Sequence, residues 1–200
     1  MAKICCLCDE KFLIKNYMEF CGIEETEFLT SKSEIETHAA TDDVPAVYVG
    51  TYGKYNDGSL AGMWVDIDSF CDYDDFIEFC KAIHSDEEDP EFMFQDFQNF
   101  PSGYYSECFG EETFDKIKEF CDCDNKDALE AYIDYHGDAE GFEDRYMGEW
   151  ESEEDFAWHI ANECYSEVLN GPLGNYFDIE AFARDLFYDY HFENGFVFSA

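Results

Sequence analysis

The residues best suited to chemistry in this sequence are its ten cysteines and five histidines. Two groups of them are of types that bind zinc, one near the N-terminus and one in the middle of the chain. The groups are Cys5, Cys6, Cys8 and Cys21 with His38, and Cys121 with Cys123. Structural zinc sites usually carry two cysteine pairs with two to four residues between partners, and neither group has two such pairs. Because free cysteine is also a common small core residue, we predict buried side chains and no metal.

A stretch of acidic residues from Asp122 to Asp127 faintly resembles a calcium-binding loop. Lys126 stands where such a loop supplies a ligand, and the glycine required at its sharp turn is missing. We therefore expect no dedicated calcium site and no cofactor.

The histidines lie at positions 38, 84, 136, 159 and 191 and belong to no catalytic pattern. No GxSxG or HExxH motif surrounds them, and no GxGxxG or GxxxxGK phosphate loop occurs. Pairs of carboxylates for acid–base catalysis cannot be singled out when a quarter of the residues are acidic. The sequence gives no positive support for an enzyme.

Charge dominates the composition, with 49 Asp and Glu against 11 Lys and Arg and a net charge of −38. Repulsion of this size favours an elongated fold and a strongly basic partner. At about one charge per ~1.7 Å of duplex, the net charge matches that of roughly 65 Å of DNA. Eleven cations cannot form a basic stripe, so we expect no nucleic-acid binding.

Acidity alone also fits halophilic adaptation, histone or cation binding, and simple solubility. Aromatic residues make up 19% of the chain and are interleaved with the acids, which indicates a folded protein and disfavours both halophily and a disordered tail. The start of the sequence has too short an apolar run for a secretory signal, and no stretch is long enough to span a membrane. We therefore expect a cytoplasmic protein with free thiols and no membrane contact.

The hydrophobic pattern predicts a mixed fold. Helices are expected over 11–20, 31–38, 73–84, 112–121, 126–135, 152–168 and 178–188. Strands are expected over 46–52, 60–67, 91–97 and 196–198, with hairpins at Asp57-Gly58 and Asn194-Gly195. We expect His159 to be a core or surface residue of its helix.

Three stretches of this pattern resemble the ArdA antirestriction family. They are VYVGTYGKYNDGSLAGMW at 47–64, FEDRYMGEWESEEDFA at 142–157, and NYFDIEAFARDL at 175–186, the last in the region known as the antirestriction motif. The resemblance covers about residues 45–200. Residues 1–44 precede the usual start of the family, as an added module or as a segment that packs against the first sheet.

The resemblance implies an α+β fold of three small domains in an elongated, curved chain. Residues 1–44 would be the extension, 45–100 a domain of sheet and helix, 101–140 a helical domain, and 141–200 a second domain of sheet and helix. Two chains would form a homodimer near the antirestriction motif. The residues implied for that contact and domain are Asn175, Tyr176, Asp178, Phe182, Arg184 and Asp185.

Ordinary roles are also open for some of these residues. Tyr176 and Phe182 could equally be core residues. Arg184 is one of few cations among many carboxylates, so by default we expect a salt bridge to Asp185 or Glu180.

The resemblance further implies a non-enzymatic DNA mimic that occupies the DNA-binding groove of a type I restriction–modification enzyme. Exposed carboxylates would stand in for phosphates. Our candidates are Asp66, Asp68, Asp72, Asp74, Asp75, Glu87, Glu88, Asp89, Glu111, Glu112, Glu143, Asp144, Glu151, Glu153 and Glu154. The alternatives are a solvated acidic face without individual roles, and an acidic decoy or chaperone for other basic DNA-binding proteins.

Overall fold

The computed structural model describes residues 10–23 and 28–200, so Cys5, Cys6 and Cys8 lie outside the described residues. The helices are α1 (Glu10–Cys21), α2 (Phe28–His38), α3 (Tyr52–Asn56), α4 (Tyr73–Ile83), α5 (Glu111–Asp122), α6 (Lys126–His136), α7 (Phe142–Arg145), α8 (Glu153–Leu169) and α9 (Ile179–Leu186). The strands are β1 (Ala46–Thr51), β2 (Met63–Asp66), β3 (Phe92–Gln98), β4 (Tyr146–Glu149), β5 (Tyr190–Glu193) and β6 (Phe196–Ser199). This mixture confirms the α+β class.

The described residues divide into two compact units, one ending at Cys123 and the other comprising residues 124–200. Helix α5 belongs to the first unit and α6 to the second. The segment 101–140, which we expected to be a helical domain, therefore contributes to both. The elongated three-domain arrangement stays a prediction.

The first unit is built on an antiparallel sheet with the strand order β2-β1-β3. All six residues of β1 are buried, as expected for a central strand rich in β-branched and aromatic residues. In the pairing with β3, Tyr48 opposes Asp96 and Val49 opposes Phe94. Gln95 is therefore the extra residue of a β-bulge, which bends β3 and increases its twist.

The connection from β1 to β2 differs from the tight hairpin expected at Asp57-Gly58. Gly58 does adopt a positive φ of 78°, but Asp57 has φ −82°, so the turn lacks the two consecutive positive φ angles of a type I′ hairpin. The chain instead enters α3, because the Thr51 hydroxyl accepts a hydrogen bond from the backbone N–H of Lys54 at 3.2 Å and caps the helix. Strand β2 consequently begins later than expected, at Met63.

The described part of the N-terminal extension packs against the rest of the first unit. Helix α1 lies against α4 and contributes Leu13 and Ile14, which are almost fully buried. After α2, Ala39 forms an antiparallel bridge with Val65, and the N–H of Ala40 donates to the Trp64 carbonyl at 3.1 Å. The extension thus completes the core of this unit and covers the outer edge of β2.

An aromatic cluster fills the space between α4, β3 and α5. Phe76 is fully buried at its centre, with its ring centroid 5.5–6.1 Å from those of Phe70, Phe94, Phe109 and Phe114. Aromatic pairs at such distances contribute free energy beyond the area that they bury. This cluster contributes to the apolar burial that must offset charge repulsion.

The second unit has a smaller antiparallel sheet of order β4-β6-β5, with the expected turn at Asn194-Gly195, where both residues have positive φ. Strand β4 was not predicted from the sequence. Tyr132 of α6 is fully buried against Phe142 and Phe198, and its hydroxyl donates to the Glu140 carbonyl at 2.7 Å. Helices α6, α8 and α9 thus enclose a core that is distinct from that of the first unit.

A largely buried lysine, Lys54, is the centre of a polar network in the first unit. The Lys54 side chain is only 10% exposed, and its ammonium group lies 2.9 Å from His84 Nδ1, Asp86 Oδ1 and Glu87 Oε1. These three acceptors match the three hydrogens that an ammonium group can donate. Asp86 also accepts a 2.6 Å hydrogen bond from Asn16 of α1, so the network links the extension to the sheet.

The protonation state of His84 follows from this geometry. Since the Lys54 ammonium can only donate, His84 Nδ1 must accept, and Nε2–H donates to the Val49 carbonyl at 3.3 Å. Burial, followed by the neighbouring Lys54 charge, lowers the pKa of His84 to about 4. The folded protein therefore requires a neutral His84.

We predict that this histidine makes folding less favourable at acidic pH. Its pKa is lower in the folded chain than the ordinary 6.5, so the unfolded chain binds more protons between pH 6.5 and about 4. The stabilisation is complete above pH 6.5 and is lost as the pH falls toward 4. Denaturant unfolding of the wild type and of His84→Gln across this range should give a steeper pH dependence for the wild type. Parallel curves would contradict the prediction.

Candidate partner-binding surface

The carboxylates chosen from the sequence are almost all on the surface. Thirteen of the fifteen are exposed, and the two exceptions, Asp66 and Glu87, are half-buried. The exposed members are Asp68, Asp72, Asp74, Asp75, Glu88, Asp89, Glu111, Glu112, Glu143, Asp144, Glu151, Glu153 and Glu154. Exposure is the first requirement for contact with a basic partner, and the selection meets it outside those two positions.

Asp66 is used inside the fold. Its carboxylate accepts a 2.9 Å hydrogen bond from the N–H of Asp68 and caps the short helical turn Ile67–Ser69 that follows β2. Burial raises the pKa of Asp66. A half-buried capping carboxylate is a poor phosphate substitute, because its charge is already compensated by the backbone.

Glu87 is also engaged internally. It accepts hydrogen bonds from the Thr51 hydroxyl at 2.6 Å and from the Lys54 ammonium at 2.9 Å. Burial acts to raise the pKa of Glu87, but these hydrogen bonds and the Lys54 charge outweigh it, and the net pKa is lowered. The Glu87 carboxylate is therefore charged, but it is paired with a lysine of the same chain.

Two exposed candidates are paired with lysines of α5. Asp68 lies 2.7 Å from the Lys118 ammonium, and Glu112 lies 2.6 Å from that of Lys116, one helical turn away. The Lys116 hydrogen bond and charge lower the pKa of Glu112. Exposed pairs of this kind are weak and easily exchanged, so both acids remain accessible to a competing cation.

Several of the remaining acids sit in first helical turns. Asp74 and Asp75 begin α4, Glu111 begins α5, and Glu153 and Glu154 begin α8. Carboxylates in the first turn interact favourably with the positive end of the helix dipole. Helix starts therefore allow the fold to carry this charge on its surface.

Asp72 is exposed, and its carboxylate also caps α4 by accepting a hydrogen bond from the N–H of Asp75 at 2.9 Å. Ser152 does the same for α8 through the N–H of Asp155 at 3.1 Å, which confirms the expected helix start. Among the described residues, no ion pair neutralises Glu143, Asp144 or Glu151. The surface thus keeps most of its negative charge.

The residues of the antirestriction motif have different environments. Asp178 is an N-cap, accepting from the N–H of Ala181 at 3.0 Å, and so begins α9. Tyr176 is 85% exposed, so the alternative of core packing was wrong for it. Phe182 is half-buried, 5.4 Å from Phe177 and 6.0 Å from Tyr165.

The cation of the motif makes the expected local pair. Arg184 Nε lies 3.5 Å from Asp185 Oδ1, and both side chains are 70% exposed. Asn175 is exposed as well. The motif therefore presents a largely solvent-accessible surface around α9.

An apolar surface that we did not predict lies on α8 and in the loop that follows it. Its exposed members are Trp158, Tyr165, Val168, Leu173 and Tyr176. Trp158 and Tyr165 are exposed on α8, whose backbone is kinked at Tyr165 (φ −128°, ψ 25°), while Phe156, Ala157 and Ala161 are buried. The spacing of these exposed residues has no regular period, so the sequence alone did not indicate this surface.

The described part of the chain contains neither a group of side chains arranged to hold a metal ion nor a helix able to span a membrane. Within it, no group of three or more histidine, cysteine or acidic side chains is arranged to hold a metal ion. Cys121 and Cys123 are half-buried there. In the same part of the chain, no helix combines the length and apolarity needed to cross a bilayer.

Comparison with known proteins identifies the family. No curated protein and no solved structure matches the chain significantly. A family model described as antirestriction protein (ArdA) matches residues 47–198, which include both sheets, the surface acids and the antirestriction motif. The match begins inside β1 and leaves out α1 and α2. By this match, which covers most of its length, the chain belongs to the ArdA antirestriction protein family.

Proposed function

We propose that this protein is a non-enzymatic DNA mimic that binds type I restriction–modification enzymes in their DNA-binding groove and inhibits them. The observation that carries the proposal is the exposure of thirteen candidate carboxylates on a chain of the antirestriction family. The partner would be met in a reducing cytoplasm, where the cysteines stay free thiols.

Both compact units carry the charge that this proposal needs. The sequence up to Cys123 has 29 Asp and Glu against 8 Lys, and residues 124–200 have 20 Asp and Glu against 3 Lys and Arg. The net charges are therefore −21 and −17. An extended basic groove could contact either unit favourably.

Mimicry works through the electrostatic part of DNA binding. A restriction enzyme's groove is lined with cations that normally displace counterions from phosphates. Carboxylates held on a folded surface offer the same cations acceptors of the same charge, without any base to read. Because no contact depends on base identity, inhibition would not depend on the enzyme's recognition sequence.

We assign the antirestriction motif a role in dimerisation. The apolar residues exposed on α8 and the following loop, together with Tyr176, would bind the same surface of a second copy and form a homodimer. Large apolar side chains grouped on a surface are typical of association sites. A dimer would double the negative charge offered to the enzyme.

The proposal predicts that this protein displaces DNA from the enzyme through the fixed arrangement of its carboxylates as well as through their total charge. A type I methyltransferase core bound to labelled duplex is titrated with this protein and, in parallel, with polyglutamate of equal net charge. We expect displacement by the protein at a concentration at least about tenfold lower, because fixed acceptors avoid ordering a flexible chain. If the protein displaces DNA no better than polyglutamate does, DNA mimicry is refuted. The alternative function, an acidic decoy or chaperone for other basic DNA-binding proteins, would then remain.

The distributed nature of the contacts predicts unequal effects of single and grouped substitutions. Asp74→Asn alone should change inhibition by less than about twofold. Neutralising Glu151, Glu153 and Glu154 together should weaken it roughly tenfold, since exposed ion pairs typically contribute about 0.2–1 kcal/mol each. The measurement is the half-inhibitory concentration against one purified enzyme.

The matched control removes three other exposed acids of the second unit, as Asp127→Asn, Asp134→Asn and Glu140→Gln. It should weaken inhibition less than the triple variant at the start of α8. Loss of inhibition from Asp74→Asn alone would overturn the distributed model, and equal losses in the two triple variants would show that only total charge matters.

The proposed dimer predicts that the molecular mass in solution rises with protein concentration. One charged substitution in the contact should abolish dimerisation. Tyr176→Glu places a carboxylate in the proposed apolar contact and should give a monomer in analytical ultracentrifugation at concentrations where the wild type is dimeric. Tyr55→Glu is the control, because Tyr55 is half exposed in the first unit. A monomeric wild type, or equal dissociation of both variants, would refute this contact.

A further inference from the structure

A cleft of about 340 Å³ lies in the first unit between the N-terminal extension and the helices of the family-matched region. One wall is formed by α1 and by His38 at the end of α2. The other is formed by α4 and by the turn that follows β2. This volume is at the small end of the range for ligand sites, so the cleft suits a single side chain or a small molecule.

Aromatic rings form the apolar surface of the cleft. His38 stacks on Phe70 at a centroid distance of 4.2 Å and lies 4.9 Å from Phe79. Tyr17 of α1 lies 6.1 Å from Phe79, and Phe20 is 49% exposed at the same cleft. Phe70 and Phe79 are themselves buried, so the rings that remain accessible to a flat group are those of Phe20 and of the half-buried Tyr17 and His38.

Carboxylates stand beside these rings. Asp75 and Glu78, both exposed on α4, line the cleft, and no ion pair within the described residues neutralises either of them. The cleft therefore combines an aromatic surface with negative charge, and no lysine or arginine is among its lining residues.

His38 adds a hydrogen-bond acceptor. The Ser69 hydroxyl donates its only hydrogen to the Asp66 carbonyl at 2.7 Å, so the 2.8 Å contact between Ser69 Oγ and His38 Nδ1 requires a hydrogen on Nδ1. Burial lowers the pKa of His38, which keeps its ring neutral at pH 7. The remaining nitrogen, Nε2, then carries a lone pair.

We propose that this cleft binds the side chain of an arginine presented by a partner protein. A planar guanidinium stacks on aromatic faces and donates in its own plane to carboxylates, here Asp75 and Glu78. A lysine ammonium has no face to stack and is more strongly hydrated. A metal ion is disfavoured, because the residues described here form no metal-binding group.

The proposal gives the N-terminal extension a function. Tyr17, Phe20 and His38 lie before residue 47, outside the region matched by the family model, while Asp75 and Phe79 lie inside it. Neither part lines the cleft alone. The cleft is thus a local binding site of this chain. Of its two carboxylates, Asp75 is also one of those proposed to mimic phosphates, whereas Glu78 is not. The cleft does not depend on which enzyme is the target.

The test uses the full-length protein and two short peptides, acetyl-Gly-Arg-Gly-amide and the same peptide with citrulline, the uncharged isostere of arginine. Amide chemical shifts in nitrogen-15 NMR spectra are followed during titration at physiological ionic strength. We expect the arginine peptide to shift signals of α1, the end of α2 and α4 with saturation, and the citrulline peptide to bind at least about tenfold more weakly. Equal binding of the two peptides, or shifts spread evenly over acidic residues of both units, would overturn the proposal.

Variants locate the binding independently. Asp75→Asn with Glu78→Gln should weaken the arginine peptide about tenfold, whereas Glu119→Gln with Asp122→Asn on α5 should leave its affinity within about twofold. Both pairs remove two exposed negative charges from the first unit. Equal weakening by both pairs would show attraction by net charge only. The comparison of arginine and citrulline in the wild type needs no variant, so the proposal remains testable even if a variant folds poorly.

Discussion

Repulsion among like charges is the constraint on which the rest of this structure depends. A chain with 49 acidic and 11 basic residues must hold its carboxylates apart, in water and near compensating dipoles, before any core can be stable. The first turns of α4, α5 and α8 meet this requirement, since acids there are exposed and face the positive end of a helix. The helix starts that organise the fold thus also carry part of its surface charge.

Several of the few cations are paired with acids of the same unit. Lys54 is buried with three acceptors, Lys116 and Lys118 pair with acids of the first unit, and Arg184 pairs with its neighbour Asp185. None of these cations adds a basic patch to the surface. Each of the two units therefore keeps a large net negative charge.

Aromatic residues supply the opposing free energy. The cluster around Phe76 in the first unit and the contacts of Tyr132 in the second bury large rings at centroid distances that favour tilted and edge-to-face packing. This explains why so acidic a chain is also rich in phenylalanine and tyrosine. Smaller apolar side chains would bury less area for each position available to a core.

Within the residues that the structure describes, periodicity and capping residues were enough to predict most helices and four of the six strands, because these elements have strong local signals. The connection after β1 was mispredicted, since an Asp-Gly pair indicates a hairpin while the Thr51 cap, which favours α3, depends on a single hydroxyl. The acids could be recognised as surface residues, but their pairing could not. Nothing in the sequence places Glu87 beside Lys54, or Tyr17 beside Phe79, because these contacts join residues far apart in the chain.

The bulge in β3 affects how readily this protein aggregates at high concentration. Within the described chain, β3 pairs only with β1, so its outer edge offers backbone groups to other strands. A bulge at Gln95 and the exposed carboxylate of Asp96 are both features that discourage a second strand from adding to such an edge. The surface charge that repels neighbouring carboxylates also opposes association of copies through their acidic surfaces, as distinct from the apolar contact proposed on α8. Aggregation resistance and recognition of a basic groove would then draw on the same residues, and concentrated salt would weaken both together.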